Sequence, residues 1–175
     1  EYPYYTRDEM VKQLPNLKKK YLSYTKFASA TLNDIFDKAT LNRAKLLEAY
    51  TFQSSYIENK GEGKFQMSNL PSTVQFSTVN ASLVDDFNGD GNLDMILAGN
   101  FYPLNIQMGR YDASYGNLLL GDGKGGFKVI SNTNSGINIK GEVRSLRKIK
   151  VGDKIHYLAI RNNESVESFS LKNNK

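Results

Sequence analysis

Residues 86–94 read Asp-Phe-Asn-Gly-Asp-Gly-Asn-Leu-Asp, and few other nine-residue stretches restrict their surroundings so sharply. Asp86, Asn88, Asp90 and Asp94 offer side-chain oxygens at positions 1, 3, 5 and 9, and Asn92 at position 7 can turn its backbone carbonyl inward. Odd spacing in a tightly wound loop aims alternate groups at one centre, and Gly91 permits the sharp turn such a loop needs. Three carboxylates held this close repel one another unless a cation lies between them. A hard divalent ion taking only oxygen ligands at about 2.3–2.6 Å, Ca²⁺, suits this donor set. The same residue types also build plain polar hairpin turns, the competing reading of the stretch. One calcium site is expected, held by Asp86, Asn88, Asp90, Asn92 and Asp94.

The flanks decide which kind of loop this is. An EF-hand carries Glu at position 12 and a helix on either side. Here position 12 is Leu97, inside the short apolar run Met95-Ile96-Leu97-Ala98-Gly99, and the loop is preceded by Val79-Asn80-Ala81-Ser82-Leu83-Val84. Short apolar runs bounded by turn residues read as strands, so the order is strand, loop, strand.

A repeat points the same way. Asn59-Lys60-Gly61-Glu62-Gly63-Lys64-Phe65 returns 62 residues later as Gly121-Asp122-Gly123-Lys124-Gly125-Gly126-Phe127. Each copy follows a strand-like run (54–57 and 117–120) and leads into another (65–67 and 127–130). Its glycines allow the positive φ of a tight hairpin turn. Ser82-Leu83 likewise returns as Ser145-Leu146, and the run ending at Asn100 as Tyr157 to Asn162. The position matching the metal loop falls in Lys148-Ile149-Lys150-Val151-Gly152-Asp153-Lys154, read as a loop whose single acid among lysines holds no calcium. The period exceeds that of common propeller repeats, and the metal loop and the long 99–114 connection account for the excess.

A D-x-[DN]-x-D-G-x-x-D loop between two strands resembles the FG-GAP/VCBS repeat, the blade unit of integrin-α-like β-propellers. Phe101-Tyr102, Gly109 to Gly116 and Leu118 to Gly123 extend the resemblance to the C-terminal part of ASPIC/UnbV-type bacterial VCBS-repeat proteins. The resemblance covers about residues 46–171, and residues 1–45 are similar, less specifically, to the helical segment before such blades. It implies a mainly β fold of about two propeller blades, a partial propeller, over residues 46–175. It also implies a secreted or cell-surface bacterial protein, with the periplasm as the other address. The expected role is a calcium-stabilised, non-catalytic scaffold or binding module. The rival is an accessory part of a glycan-processing or glycan-import assembly. Expected partners are the rest of a longer propeller chain or another protein, with carbohydrate as a further ligand class. Two blades cannot close a ring, so the chain is expected to be the C-terminal part of a longer one.

Residues 1–45 are a different material, expected to be helical and to pack on the blades. Thr6-Arg7-Asp8-Glu9 is a capping box ahead of Met10, Val11 and Leu14, and Pro15 ends or restarts that helix. Leu17, Tyr21, Tyr24 and Phe27 recur at helical spacing, Thr31 to Asp34 caps a further turn, and another helix is expected over 40–46.

The remaining composition mostly excludes. There is no cysteine, hence no disulfide framework, thiol nucleophile or Cys-ligated zinc. No run approaches the 18 or so apolar residues of a membrane span. The formal charge of +5 is uneven, with 140–175 basic and 61–139 acidic. The basic end has no nucleic-acid motif behind it and reads as a solvated outer face. The only histidine, His156, lies in a strand-like run and is read as structural, so no enzyme is expected. Arg110, Tyr111 and Asp112 lie on the longest non-repetitive loop and have two equal readings, a recognition loop for a sugar, a carboxylate or a protein edge, or residues that tie the loop down by hydrogen bonds.

Overall fold

A computed structural model describes residues 1–105 and 108–171. The chain forms two compact units, Glu1–Tyr50 and Thr51–Lys175, each considered by itself.

The first unit is helical. Helix α1 (Arg7–Gln13) opens with the full capping box: Thr6 accepts from the Glu9 amide, and the Glu9 carboxylate accepts from the Thr6 amide at 2.8 Å. Pro15 then breaks the chain into α2 (Leu17–Lys20) and α3 (Tyr24–Ala28). A second capping box, Thr31 with Asp34, starts α4 (Leu32–Ile35). Asp37 caps α5 (Lys38–Arg43), which begins before the expected helix and ends earlier because Ala44 is already extended. Met10, Leu17, Tyr21, Phe27, Ala30 and Ile35 share one small core. Tyr24 departs from the predicted stripe: its ring is exposed and its hydroxyl donates to Asp8 at 2.8 Å.

The second unit consists of three antiparallel sheets, none closed. Strands β1 (Ser55–Gly61) and β2 (Lys64–Asn69) form a two-stranded sheet. A 3₁₀ turn at Ser72–Phe76 comes next, and its Gln75 side chain bonds both the amide and carbonyl of Ser54. The next sheet runs in order through β3 (Val79–Asp85), β4 (Asp94–Gly99), β5 (Asn117–Gly121) and β6 (Phe127–Ile130). After the short helix α6 (Asn132–Ser135) come β7 (Val143–Val151), β8 (Lys154–Arg161) and β9 (Glu167–Phe169). The sequence reading of about two repeats thus becomes three sheets. The 3₁₀ turn separates β2 from β3, so the first hairpin stands outside the ladder of the second sheet.

Both copies of the glycine-rich motif sit where the repeat places them, at the β1–β2 and β5–β6 turns. The other pair of hairpins is alike in finer detail. β3–β4 shifts register between Val79 and Ala81, and β7–β8 shifts between Val143 and Ser145. Beyond each shift an asparagine amide closes the pair: Asn100 donates to the Thr78 carbonyl at 3.1 Å, and Asn162 to the Glu142 carbonyl at 2.9 Å. The stretch Lys148–Lys154 differs from expectation, because β7 continues to Val151 and turns through Gly152-Asp153 directly into β8. A tight turn replaces a loop there, since Ile149 and Lys150 keep the strand alternation instead of supplying turn residues.

The second sheet is buried on both faces. Ala81, Ile96 and Ala98 pack against Val143, Leu146 and Ala159 of the third sheet. On its other face Leu97 and Leu119 join Val74, with Phe127 and Val129 alongside.

Candidate metal loop and neighbouring grooves

The loop links β3 to β4, and its winding rests on Gly89 (φ 80°) and Gly91 (φ 86°), both in the left-handed region. Asp86 accepts on Oδ1 from the Gly89 amide at 2.7 Å and the Asp90 amide at 3.2 Å, and on Oδ2 from the Gly91 amide at 2.9 Å. Asn88 Oδ1 accepts from the Asp90 amide at 2.9 Å. Asp90 accepts from the Asn92 amide at 2.7 Å and from the Asn88 side-chain amide at 2.8 Å. These bonds, that from the Asn92 amide foremost, hold the Asp90 carboxyl below its ordinary range.

Asp94 is set apart. It is fully buried, and its two oxygens accept from the amides of Phe87 and Gly121, each at 2.9 Å. It therefore ties the start of the loop to the end of β5. Gly121 cannot carry a Cβ there, because that atom would stand 2.2 Å from the Leu93 carbonyl oxygen.

The five predicted ligands lie on one loop, but among the described residues no three His, Cys, Asp or Glu converge as a metal-holding group, because the carboxylates of Asp86, Asp90 and Asp94 are turned to backbone amides. Their chemistry still fits calcium. A carboxylate oxygen has about two lone-pair sites. Only Asp86 Oδ1 takes two donors, and each remaining side-chain oxygen of Asp86, Asn88, Asp90 and Asp94 takes one. Spare acceptor capacity of hard oxygen type thus remains on all four.

Asp85, just before the loop, joins the sheets. Its Oδ2 receives the Tyr157 hydroxyl at 2.8 Å and the Lys148 ammonium at 2.6 Å. Burial pushes the Asp85 carboxyl up, but the bonds from Lys148 and Tyr157 outweigh it and the net shift is down. Burial and the same carboxylate push the Tyr157 phenol well above its ordinary range.

Of the predicted recognition loop, Arg110 and Asp112 both lie within electrostatic reach of Tyr102. Tyr111 is pinned by its backbone, which pairs with Phe101 at 2.8 and 3.0 Å and accepts from the Ser77 hydroxyl. Arg110 lies over the Tyr102 ring, 5.0 Å from its centre, and Asp112 is exposed. Arg110 and Tyr102 help line an open groove of about 360 Å³ with Glu142, Asn162 and Glu164. Glu142 is buried and bonded to Arg144 at 2.7 Å and to the Asn162 side chain at 2.8 Å. Burial first, then the charges of Glu164 and Asp112, raise the Tyr102 phenol.

Sequence reasoning passed over Asn100, Glu142 and Asp85. The signal for Asn100 was present, since Asn100 and Asn162 end matching runs. His156 lies in β8 opposite Ile149. No helix among the described residues is long and apolar enough to cross a membrane. No family model matches the chain, and no curated protein or solved structure matches it significantly.

Proposed function

We propose that this chain is a calcium-braced, non-catalytic scaffold or binding module of a secreted or cell-surface bacterial protein, built from FG-GAP/VCBS-like propeller blades. The observation that carries the reading is the 86–94 loop, an all-oxygen donor set between two paired strands with acceptor capacity left over. Asp86, Asn88, Asp90 and Asp94 would hold the ion through side chains and Asn92 through its carbonyl. The ion supplies positive charge that offsets the repulsion of three carboxylates. The chain's own part is to fix the loop, which Asp94 does from inside the sheet. The repeated hairpins and the face-to-face packing of the second and third sheets support the blade reading.

The experiment is thermal unfolding with calcium, with chelator, and of Asp90→Ala. Binding to the folded form alone stabilises by about 2.7 kcal/mol at a hundredfold excess over Kd. Chelation is expected to lower the melting temperature of the wild type and to leave Asp90→Ala unchanged. Identical wild-type curves in calcium and chelator defeat the reading. The groove beside Arg110 and Tyr102 favours one second reading, an accessory role on glycans. Retardation of the chain in a polysaccharide-containing gel, lost in Arg110→Ala, would support it.

A further inference from the structure

Asn88-Gly89 is the only Asn-Gly pair in the chain, and both residues are exposed in the 86–94 loop. Asparagine before glycine is open to one spontaneous reaction, attack of the following backbone nitrogen on the side-chain amide. Glycine favours it because no side chain crowds the five-membered ring that forms. Three contacts around Asn88 bear on that reaction. Asn88 Oδ1 accepts from the Asp90 amide at 2.9 Å, a turn that folds the side chain back across the peptide holding the Gly89 nitrogen. The Gly89 N–H points at a carboxylate oxygen, Asp86 Oδ1, 2.7 Å away. Asn88 Nδ2, the group that would leave, donates to Asp90 Oδ2 at 2.8 Å.

Together these contacts supply the parts of an acyl transfer. The Gly89 nitrogen is the nucleophile, and Asp86 is the base on its proton. The Asp90 N–H donates to the oxygen that gains negative charge when the amide carbon is attacked, the task of an oxyanion donor. That N–H is shared with Asp86 Oδ1, at 3.2 Å. Space is open on the Gly89 side, where a Cβ would meet nothing within 4 Å. The turn alone does not single out Asn88. Asn59 makes the same turn, accepting from the Gly61 amide at 2.9 Å, but the residue after it is Lys60. Asn88 combines the turn, the glycine and the carboxylate on the attacking nitrogen.

We propose that Asn88 is a self-modifying site, at which the folded loop converts its own side-chain amide to an acid. The Gly89 nitrogen gives its proton to Asp86 and forms a bond to Asn88 Cγ. The tetrahedral centre then collapses, the Cγ–Nδ2 bond breaks, and Nδ2 leaves as ammonia with the proton that Asp86 took, passed on through water. Water opens the resulting succinimide at one of its two carbonyls and leaves aspartate or isoaspartate at position 88. One water is consumed and one ammonia released, and no other reactant enters. Aspartate places a fourth carboxylate among the loop's oxygen donors, and isoaspartate reroutes the backbone through the side chain, so either product changes what the loop offers a ligand. The step uses only the chain and water and is followed in chelator, so it stands or falls independently of the calcium reading.

The test incubates the full chain in chelator at neutral pH and follows its peptides by mass spectrometry, with isoaspartate separated from aspartate by chromatography. Folded chain is expected to convert Asn88 on the order of a hundredfold faster than the same chain unfolded in urea, the lower end of what a positioned proton-transfer group contributes. Asn59 is expected to keep its amide over the same time. Asp86→Asn is expected to slow Asn88 to the unfolded rate. A folded rate equal to or below the unfolded one, conversion of Asn59 alongside Asn88, or an Asp86→Asn variant as fast as the wild type overturns the inference. Circular dichroism checks that Asp86→Asn folds, and Asp86→Ser replaces it if it does not. The comparison of folded with unfolded wild type decides the matter without either variant.

Discussion

Asn100 shows how much one side chain can hold when its backbone is unusual. Its φ of 83° is left-handed, a region that costs most L-residues energy but suits asparagine better than most. The buried side chain donates to the carbonyls of Ser114 at 2.9 Å and Gly141 at 3.0 Å, and accepts from the Ser114 amide at 3.0 Å. Asn100→Ala strands these groups and adds backbone strain, a loss on the order of 3 kcal/mol or more. Asn100→Gly keeps the backbone relaxed and is expected to lose less. Urea unfolding separates the two, and equal losses would show that backbone conformation plays no part. The sequence announces Asn100 only as the end of an apolar run, because hydrogen bonds to carbonyls 14 and 41 residues away leave no local pattern. Asp94 is similar. Its place in the loop motif is plain from spacing, while its bond to Gly121 depends on β4 lying against β5.

Elements were more legible than contacts. Capping boxes at Thr6 and Thr31 and the paired glycine hairpins rest on local chemistry, and they stand where the residues put them. Helix ends at Arg43 and Ala44 and the continuation of β7 through Lys150 were misjudged, because polar residues in a strand look like a loop when the partner strand is unknown. The repeat supplies a sharp prediction at this scale. Leu119→Ala removes a fully buried side chain and is expected to cost about 2–5 kcal/mol. Ile57→Ala at the equivalent place in the other hairpin is expected to cost under about 0.5 kcal/mol, as exposed substitutions do. Denaturation midpoints of the two variants give the comparison, and similar losses would mean that the Ile57 face is covered. Thr6→Ala tests the helical unit separately, with an expected loss of about 1 kcal/mol from its missing N-cap.

At the scale of the molecule, acid is the condition that reaches both units. In the helical unit Glu9, Asp34 and Asp37 each accept from residues at helix starts, Thr6, Thr31 and Thr40, and these bonds hold all three carboxyls below their ordinary values. In the β unit the amides of Lys124 and Gly126 do the same for Asp122, and the Asn162 side chain, against burial, does so for Glu142. A carboxyl whose folded pKa lies below its unfolded one binds its proton first in the unfolded chain. Stability from these groups is therefore fully present above the unfolded values, about 4, and is lost as pH falls through the lower folded values. With more protons on the unfolded state, unfolding free energy rises with pH inside that window and is flat above it as far as these groups are concerned. The urea midpoint followed from neutral pH downward in chelator is expected to hold until about pH 4 and then to fall. Glu142→Gln removes one of the contributing protons, so its decline should be shallower than that of the wild type. A variant curve that falls in parallel with the wild type would mean that the Asn162 and Arg144 contacts do not distinguish the charged carboxylate from the neutral amide.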